Sequence, residues 1–353
     1  MFEDLIVIDC STVLAGPSVG TFFAELGAAV TKIENPAIPD VTRSWKLASE
    51  DKNASVSAYF SSVNYGKQYR QLNFKDESHI SLLIEKLKTA DIFLSNFKKG
   101  DAEKFGLSDE YLQSINPKLI LGKISGFGSE SDRVAYDLIL QAETGFMSMN
   151  GTSNSGPVKM PVALIDVLAA HQLKEGLLTA LLKRTKTNQG SVISVSLYDA
   201  AISSLANQAS NYLMQGHIPQ RIGSLHPNIA PYGEIFATKD GKLITFAIGS
   251  NRHFQLLCEF LGVSKLVSDT RFSENVERVK NRTELQELIQ EIISRCDSED
   301  ILEFMHTHFV PAGIIRNLEE VFEEASAQNL VRTEIIEKIE TKRVSQIAFQ
   351  LKP

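Results

Sequence analysis

The chain has 353 residues, long enough for one large core or, as the length favours, two domains, and its 43% apolar and 22% charged content is that of an ordinary soluble globular protein. With 43 acidic against 36 basic residues the net charge is −7, which argues against a general nucleic-acid binder and obliges any anionic ligand to find a local basic pocket. Cys10, Cys258 and Cys296 form no CxxC pair and no apolar run approaches the ~18 residues of a membrane span, so disulfides, a cysteine metal site, a signal peptide and a membrane partner are not expected, and the reducing cytoplasm fits best.

Up to Gly128, strand and helix patterns alternate. Residues 5–9 are a short β-branched apolar run, Ala15-Gly16-Pro17 sits in the loop that follows, a helical pattern passes through Phe22, Phe23 and Leu26, and residues 29–34 read as the next strand. In an open α/β sheet the loop of such a βαβ unit meets the ligand crevice. Glu34 stands near the place of a ribose-binding acid, but Gly16, Gly20 and Gly27 do not make GxGxxG, so a nicotinamide site is poorly supported. Residues 36–53, with Arg43 and the single tryptophan Trp45, are expected as a long ordered loop over the sheet edge. Between Asn64 and Lys75, the cations Lys67, Arg70 and Lys75 are interleaved with Tyr65, Tyr69 and Leu72, which fits either a seat for adenine and phosphates or a solvated edge strand. A helix over 78–89 and a strand over 91–94 lead to Asn96-Phe97-Lys98-Lys99-Gly100, with Lys104 beyond. Lysines just past a strand end are the basic pocket that phosphates need, or an ordinary solvated turn.

A strand over 118–124 comes next, then residues 132–137 opening a helix through Gly145, then a Gly, Ser, Asn and Pro loop over 151–157. That loop precedes the run Lys159 to His171, in which one carboxylate, Asp166, lies among Val162, Ala163, Leu164, Ile165, Val167 and Leu168. An acid in such company loses hydration, which costs free energy unless something offsets it, and so invites a functional explanation. Pro161 favours a helix start and Leu173, Leu177, Leu178, Leu181 and Leu182 continue the helical spacing, placing Asp166 in the first turns, where backbone amides and the helix dipole favour negative charge. From this stretch alone, stabilising the helix start is the plainer role. A strand over 192–195 and a helical stretch to Leu213 follow, and the Gly- and Pro-bearing residues 215–231 read as a linker. Residues 232–237 and 242–248 flank Lys239-Asp240-Gly241 as a hairpin, and helices over 251–261, 283–295 and 299–308 complete a small α+β domain. His306-Thr307-His308 has no third ligand at suitable spacing, so no metal site is expected, and GxSxG, HExxH and Walker A motifs are all missing.

Taken together and in order, Val13-Leu-Ala-Gly-Pro17, Thr31-Lys-Ile-Glu34, Asp40-Val-Thr-Arg-Ser-Trp45, residues 64–72, Ser95-Asn-Phe97, Tyr136-Asp137, Asp166, residues 221–232, Lys239-Asp-Gly241, Asn251 and Val310-Pro-Ala-Gly313 resemble the family III coenzyme A transferases. This CaiB/BaiF family includes formyl-CoA and carnitine CoA-transferases and α-methylacyl-CoA racemases. The resemblance implies an α/β fold with a Rossmann-like large domain (1–214), the linker (215–231), a small α+β domain (232–318) and a short C-terminal return (319–353), with two chains interlocked as rings in a homodimer. It identifies Asp166 with the family's catalytic aspartate and Ala15, Leu72, Lys75, Asn96, Phe97, Lys104, Arg133 and Tyr136 with its CoA-contacting positions. Coenzyme A and acyl-CoA would be substrates, a carboxylic acid the acceptor, and no permanently bound cofactor is implied.

Departures from the family pattern sharpen these expectations. Lys104 replaces a frequent arginine and offers phosphate a point charge in place of a fork. Leu14 stands where formyl-CoA transferases have glutamine, and their glycine-rich loop has no clear counterpart, which counts against oxalate as substrate. Ala170 replaces a frequent glycine, and the C-terminal return is short. A racemase would need a histidine where Ala135-Tyr136-Asp137 has tyrosine, and a phenol with a pKa of roughly 10 is a poor base at neutral pH, so transfer is favoured over racemisation. The remaining alternative, a CoA-binding protein without catalysis, is opposed by the retention of Asp166.

Overall fold

A computed structural model describes residues 1–352. Contacts divide the chain into two units, the first made of residues 1–149, 158–219 and 328–353 and the second of 150–157 and 220–327.

The first unit carries the expected alternation. It comprises β1 (Ile6–Asp9), α1 (Ala15–Glu25), β2 (Ala29–Glu34), α2 (Ala58–Ser62), β3 (Lys67–Gln71), α3 (Glu77–Leu87), β4 (Ile92–Ser95), α4 (Asp101–Lys104), α5 (Asp109–Ile115), β5 (Ile120–Ser125), α6 (Asp137–Glu143), α7 (Phe146–Met149), α8 (Leu164–Thr187), β6 (Val192–Ser196), α9 (Leu197–Ser203) and α10 (Ala206–Gln215). The six strands form one parallel sheet in the order β3-β2-β1-β4-β5-β6. Helices cover both faces, so the central strands are apolar on both sides, as β4 shows with Ile92 and Leu94 toward one core and Phe93 toward the other. The first core joins α1 through Val19, Phe22 and Phe23 to α8 through Ile165, Ala169, Leu173 and Leu177. Gly122 lets α8 lie close, since a Cβ there would come within 2.8 Å of a Leu94 methyl and 3.2 Å of a Leu177 methyl. Leu177 is fully buried at this crossing, and Leu177→Ala would cost about 2–5 kcal/mol.

Two elements differ from the sequence expectations. The helix expected from residue 132 begins only at Asp137, because residues 132–136 run back across the loop after β5, where Ala135 closes on Gly126. The chain also returns through an antiparallel hairpin that the sequence pattern did not reveal, whose strands occupy Val331–Ile336 and Ile339–Val344. Its two-residue turn is Glu337-Lys338 with φ of 50° and 72°, a left-handed geometry usually announced by Asn-Gly. Glu25 anchors the segment beyond, accepting hydrogen bonds from Arg343, Ser345 Oγ (3.0 Å), Gln346 N (2.9 Å) and Ile347 N (3.0 Å).

In the second unit the expected hairpin forms from strands at Tyr232–Ala237 and Leu243–Ala247, with Ala312–Ile314 adding a third, antiparallel strand. Helices at Asn251–Phe260, Arg282–Ile293 and Ser298–Thr307 share a core of Phe236, Phe246, Phe254, Ile289 and Met305. His306 Nε2 and His308 Nδ1 lie at hydrogen-bond distance from the backbone carbonyls of Ala312 (3.1 Å) and Phe304 (2.8 Å). Among the described residues no helix is long and apolar enough to cross a membrane.

Candidate active site

In a parallel sheet every crossover helix starts at the carboxyl edge of the strands, and that edge gathers the residues singled out above. The strand order reverses between β1 and β4, so the loops leaving these two strands splay to either side of a crevice. Asn96, just past β4, ties them together, accepting from Thr12 N (3.1 Å) and donating to Thr12 O (3.1 Å). Ala15 opens α1 at the end of the β1 loop, at a helix start without a side-chain cap. Leu72 follows β3 and shares an apolar cluster with Phe97, around which Phe74 and Phe105 pack at 5.8 and 5.6 Å between ring centroids. Arg133 and Tyr136 occupy the loop after β5.

Asp166 lies in the first turn of α8 on the same edge and is 7% exposed. In the first turn its charge sits where the helix dipole favours it, but it makes no side-chain cap. Asp137 caps this helix start, accepting from Ile165 N at 2.7 Å, and is itself held by Gln141 Nε2 at 2.6 Å. Gln141 also accepts from Met160 N at 2.8 Å, pinning the strap that leads into α8. Among the described residues the Asp166 carboxylate has neither a hydrogen-bond donor nor an ion-pair partner. Burial, and then the nearby charge of Asp137, push its pKa up to about 7. Near neutral pH it therefore stands between acid and carboxylate.

Aromatic groups crowd the same neighbourhood. Tyr59 on α2 has its hydroxyl pushed up to about 12, by burial first and then by the charges of Asp166, Asp137 and Asp40, so it stays a neutral donor. Trp45 meets Tyr59 edge-on at 5.1 Å and lies 6.2 Å from Tyr136. Sequence reasoning assigned no role to Tyr59, Asp137 or Gln141. Asp137 and Gln141, one helical turn apart, carried a signal in that spacing, whereas Tyr59 lies far from the other site residues in sequence.

The cations sort into two groups. Lys67, considered above for an adenine seat, is buried beneath the sheet edge and donates to Asp9 (2.8 Å), Pro17 O (2.7 Å), Val63 O (3.0 Å) and Asn64 (3.0 Å). Glu34 likewise cannot serve a ribose, since Arg43 holds it through Nε (3.0 Å) and Nη2 (2.6 Å). The exposed cations remain accessible at the carboxyl edge. Lys104 pairs with Asp101 (3.1 Å), Lys99 with Glu130 (3.2 Å), and Arg133 with Glu143 (2.6 Å) while covering the Phe127 ring at 3.8 Å. Lys75 and Lys98 are exposed on the loops after β3 and β4.

Comparison with known proteins places this geometry in context. A model of CoA-transferase family III matches residues 2–352. The chain is 36% identical over 328 residues to a succinate–glutarate CoA-transferase of Agrobacterium fabrum, covering 91% of this chain and 82% of that protein. It is 33% identical over 336 residues to an acetyl-CoA:oxalate CoA-transferase of Acetobacter aceti, covering 94% and 83%. The crystal structure of a CaiB/BaiF family protein from Brucella suis superposes with a TM-score of 0.86 at 33% identity, over 99% of this chain and 92% of the other.

Proposed function

This chain belongs to CoA-transferase family III, and from that premise we propose that Asp166 is the nucleophile through which it works. The enzyme moves CoA between an acyl-CoA and a carboxylate. In the proposed cycle, an Asp166 oxygen attacks the thioester carbonyl of the donor, the C–S bond breaks, and CoA leaves as thiolate, giving a mixed anhydride of Asp166 and the donor acid. The thiolate then attacks the Asp166 carbonyl, releasing the donor acid and leaving an aspartyl-CoA thioester. An acceptor carboxylate attacks that thioester to form a second anhydride, and the thiolate returns to the acceptor's acyl carbon, restoring Asp166. Each anhydride lies above the thioesters in energy and is consumed by the returning thiolate, so one difficult displacement is divided into easier ones. The observation that carries this reading is a buried carboxylate at a helix start with no partner among the described residues and a pKa raised to about 7. In this reading the Tyr59 hydroxyl, which stays protonated and feels the Asp166 charge, serves as a donor to oxyanions that form there.

For CoA itself, the proposed seat runs from Ala15 and Asn96 across Leu72 and Phe97, with Lys75, Lys104 and Arg133 toward phosphates and Tyr136 toward the reacting end. The names of similar proteins, which act on succinate, glutarate, mesaconate and oxalate, favour a short dicarboxylic acid as acceptor and its relatives as donors. The assembly we propose is an interlocked homodimer, for which the exposed Tyr212, Leu213 and Met214 on α10 offer apolar surface; sedimentation as a monomer would refute it. Three free cysteines, two of them buried, suit a reducing compartment such as the cytoplasm. The deciding experiment incubates the enzyme with acyl-CoA and then hydroxylamine. A hydroxamate on Asp166, found by peptide mass analysis, is expected; turnover without any trappable adduct there would remove the residue from the mechanism.

A further inference from the structure

The exposed tip of the β1 loop is held in a conformation it would not choose. Cys10 and Ser11 are buried on one side and Ala15 on the other, leaving Thr12, Val13 and Leu14 as the partly exposed residues at the crevice. Val13 has φ of 73°, a left-handed backbone that a β-branched residue disfavours strongly. Such strain persists only where the surroundings over-determine the backbone. Here they do: Lys32 donates to Ser11 O, Asn96 takes both Thr12 N and Thr12 O, and the two oxygens of Asp40 accept from Val13 N at 3.3 and 3.2 Å.

Asp40 is built to do this. It is 1% exposed, receives Lys32 Nζ at 3.2 Å, and is oriented by Thr42 through N (3.1 Å) and Oγ1 (2.7 Å). Its own amide is fixed on Glu34 at 3.1 Å, which Arg43 locks in turn. We propose that Asp40 is a positioning residue for the transfer reaction, holding the Val13 peptide left-handed so that the Thr12–Leu14 tip keeps its shape against the bound substrate. The charge of Asp40 is felt by Tyr59, which also feels Asp166, so the clamp and the reacting carboxylate share one neighbourhood. The inference rests on the reading that this edge is the reaction centre.

The test is a double-mutant cycle between Asp40→Asn and Val13→Gly. Glycine adopts positive φ freely, so a loop with glycine at 13 depends less on the clamp. Asp40→Asn alone is expected to lower kcat about tenfold per folded enzyme, with KM for acyl-CoA changed less than threefold. In the Val13→Gly background the same substitution should cost threefold or less. Equal losses in both backgrounds, or a folded Asp40→Asn enzyme within twofold of wild-type kcat, would overturn the proposal, since a merely structural acid changes stability and not this epistasis. Should Asp40→Asn fail to fold, Thr42→Val removes one donor from the same carboxylate and should show a smaller loss with the same dependence on residue 13. The cycle is read on overall transfer, whatever the nucleophile, whereas failure of the Asp166 reading would appear separately as turnover retained by Asp166→Asn.

Discussion

Two sets of buried carboxylates lie along one edge of the sheet and have been given opposite treatment. Around β1 to β3, every buried acid has its own cation: Asp9 with Lys67, Asp40 with Lys32, Glu34 with Arg43. Burial alone would raise the pKa of Asp9, but Lys67 and Lys32 more than reverse this and hold it below the usual carboxylate range; Glu34 is held down in the same way by Arg43. At the start of α8, Asp166 has no cation partner among the described residues, and the charge that acts on it is another acid, Asp137. The first arrangement fixes charge as structure, and the second leaves charge unsatisfied, as the proposed nucleophile requires. Removing a partner from the first should therefore harm stability, and removing the charge from the second should harm only chemistry.

The largest expected effect is at Asp166. Asp166→Asn should fold, bind CoA and lose transfer by several orders of magnitude, and near-normal turnover would break the contrast outright. The same variant sharpens it through stability. A carboxyl whose folded pKa is raised costs nothing below its ordinary pKa, and the cost grows as pH rises to about 7. Asp166→Asn should thus be more stable than wild type at pH 8, by up to about 4 kcal/mol, with the gain vanishing near pH 4; denaturant titrations at the two pH values check this. Lys67→Met, in the paired region, should instead lose about 3–5 kcal/mol by stranding Asp9, and a loss under about 1 kcal/mol in urea unfolding would show that the pair is not structural. A subtler change is expected from Asp137→Asn. Without its charge the Asp166 carboxyl should ionise at lower pH, so the acid limb of kcat/KM should move downward while turnover falls about tenfold or less; an unmoved limb would show that burial alone sets the pKa. The smallest effect is reserved for the exposed rim. Lys104→Glu should weaken CoA binding severalfold, with wild-type affinity falling as salt rises, and salt-insensitive binding by calorimetry would make Lys104 an ordinary surface lysine.

What the sequence determined by itself was periodicity. Strand patterns in the sequence marked five of the six parallel strands, the central ones as apolar runs because burial on both faces demands Val, Ile and Leu there, and the helical spacing of leucines marked the long helix behind Asp166. The apolar flanks of Asp166 likewise announced its burial. Boundaries followed less well, since α8 starts at Leu164 and not at Pro161, and α6 at Asp137, where packing of Ala135 against Gly126 overrides local preference. The hairpin turn at Glu337-Lys338 escaped notice because nothing in those side chains signals positive φ. Only the tertiary structure decided which charges are paired. Lys67 and Asp9 are 58 residues apart and look like surface residues in a linear reading, until the sheet register brings them together and removes both from water. The same holds for the pinning of α8 by Asp137 from 28 residues away and for the presence of Tyr59 beside the site. A carboxylate's role is set by which donors and charges surround it, and that is a property of three-dimensional proximity, to which the order of residues along the chain contributes only by fixing the fold.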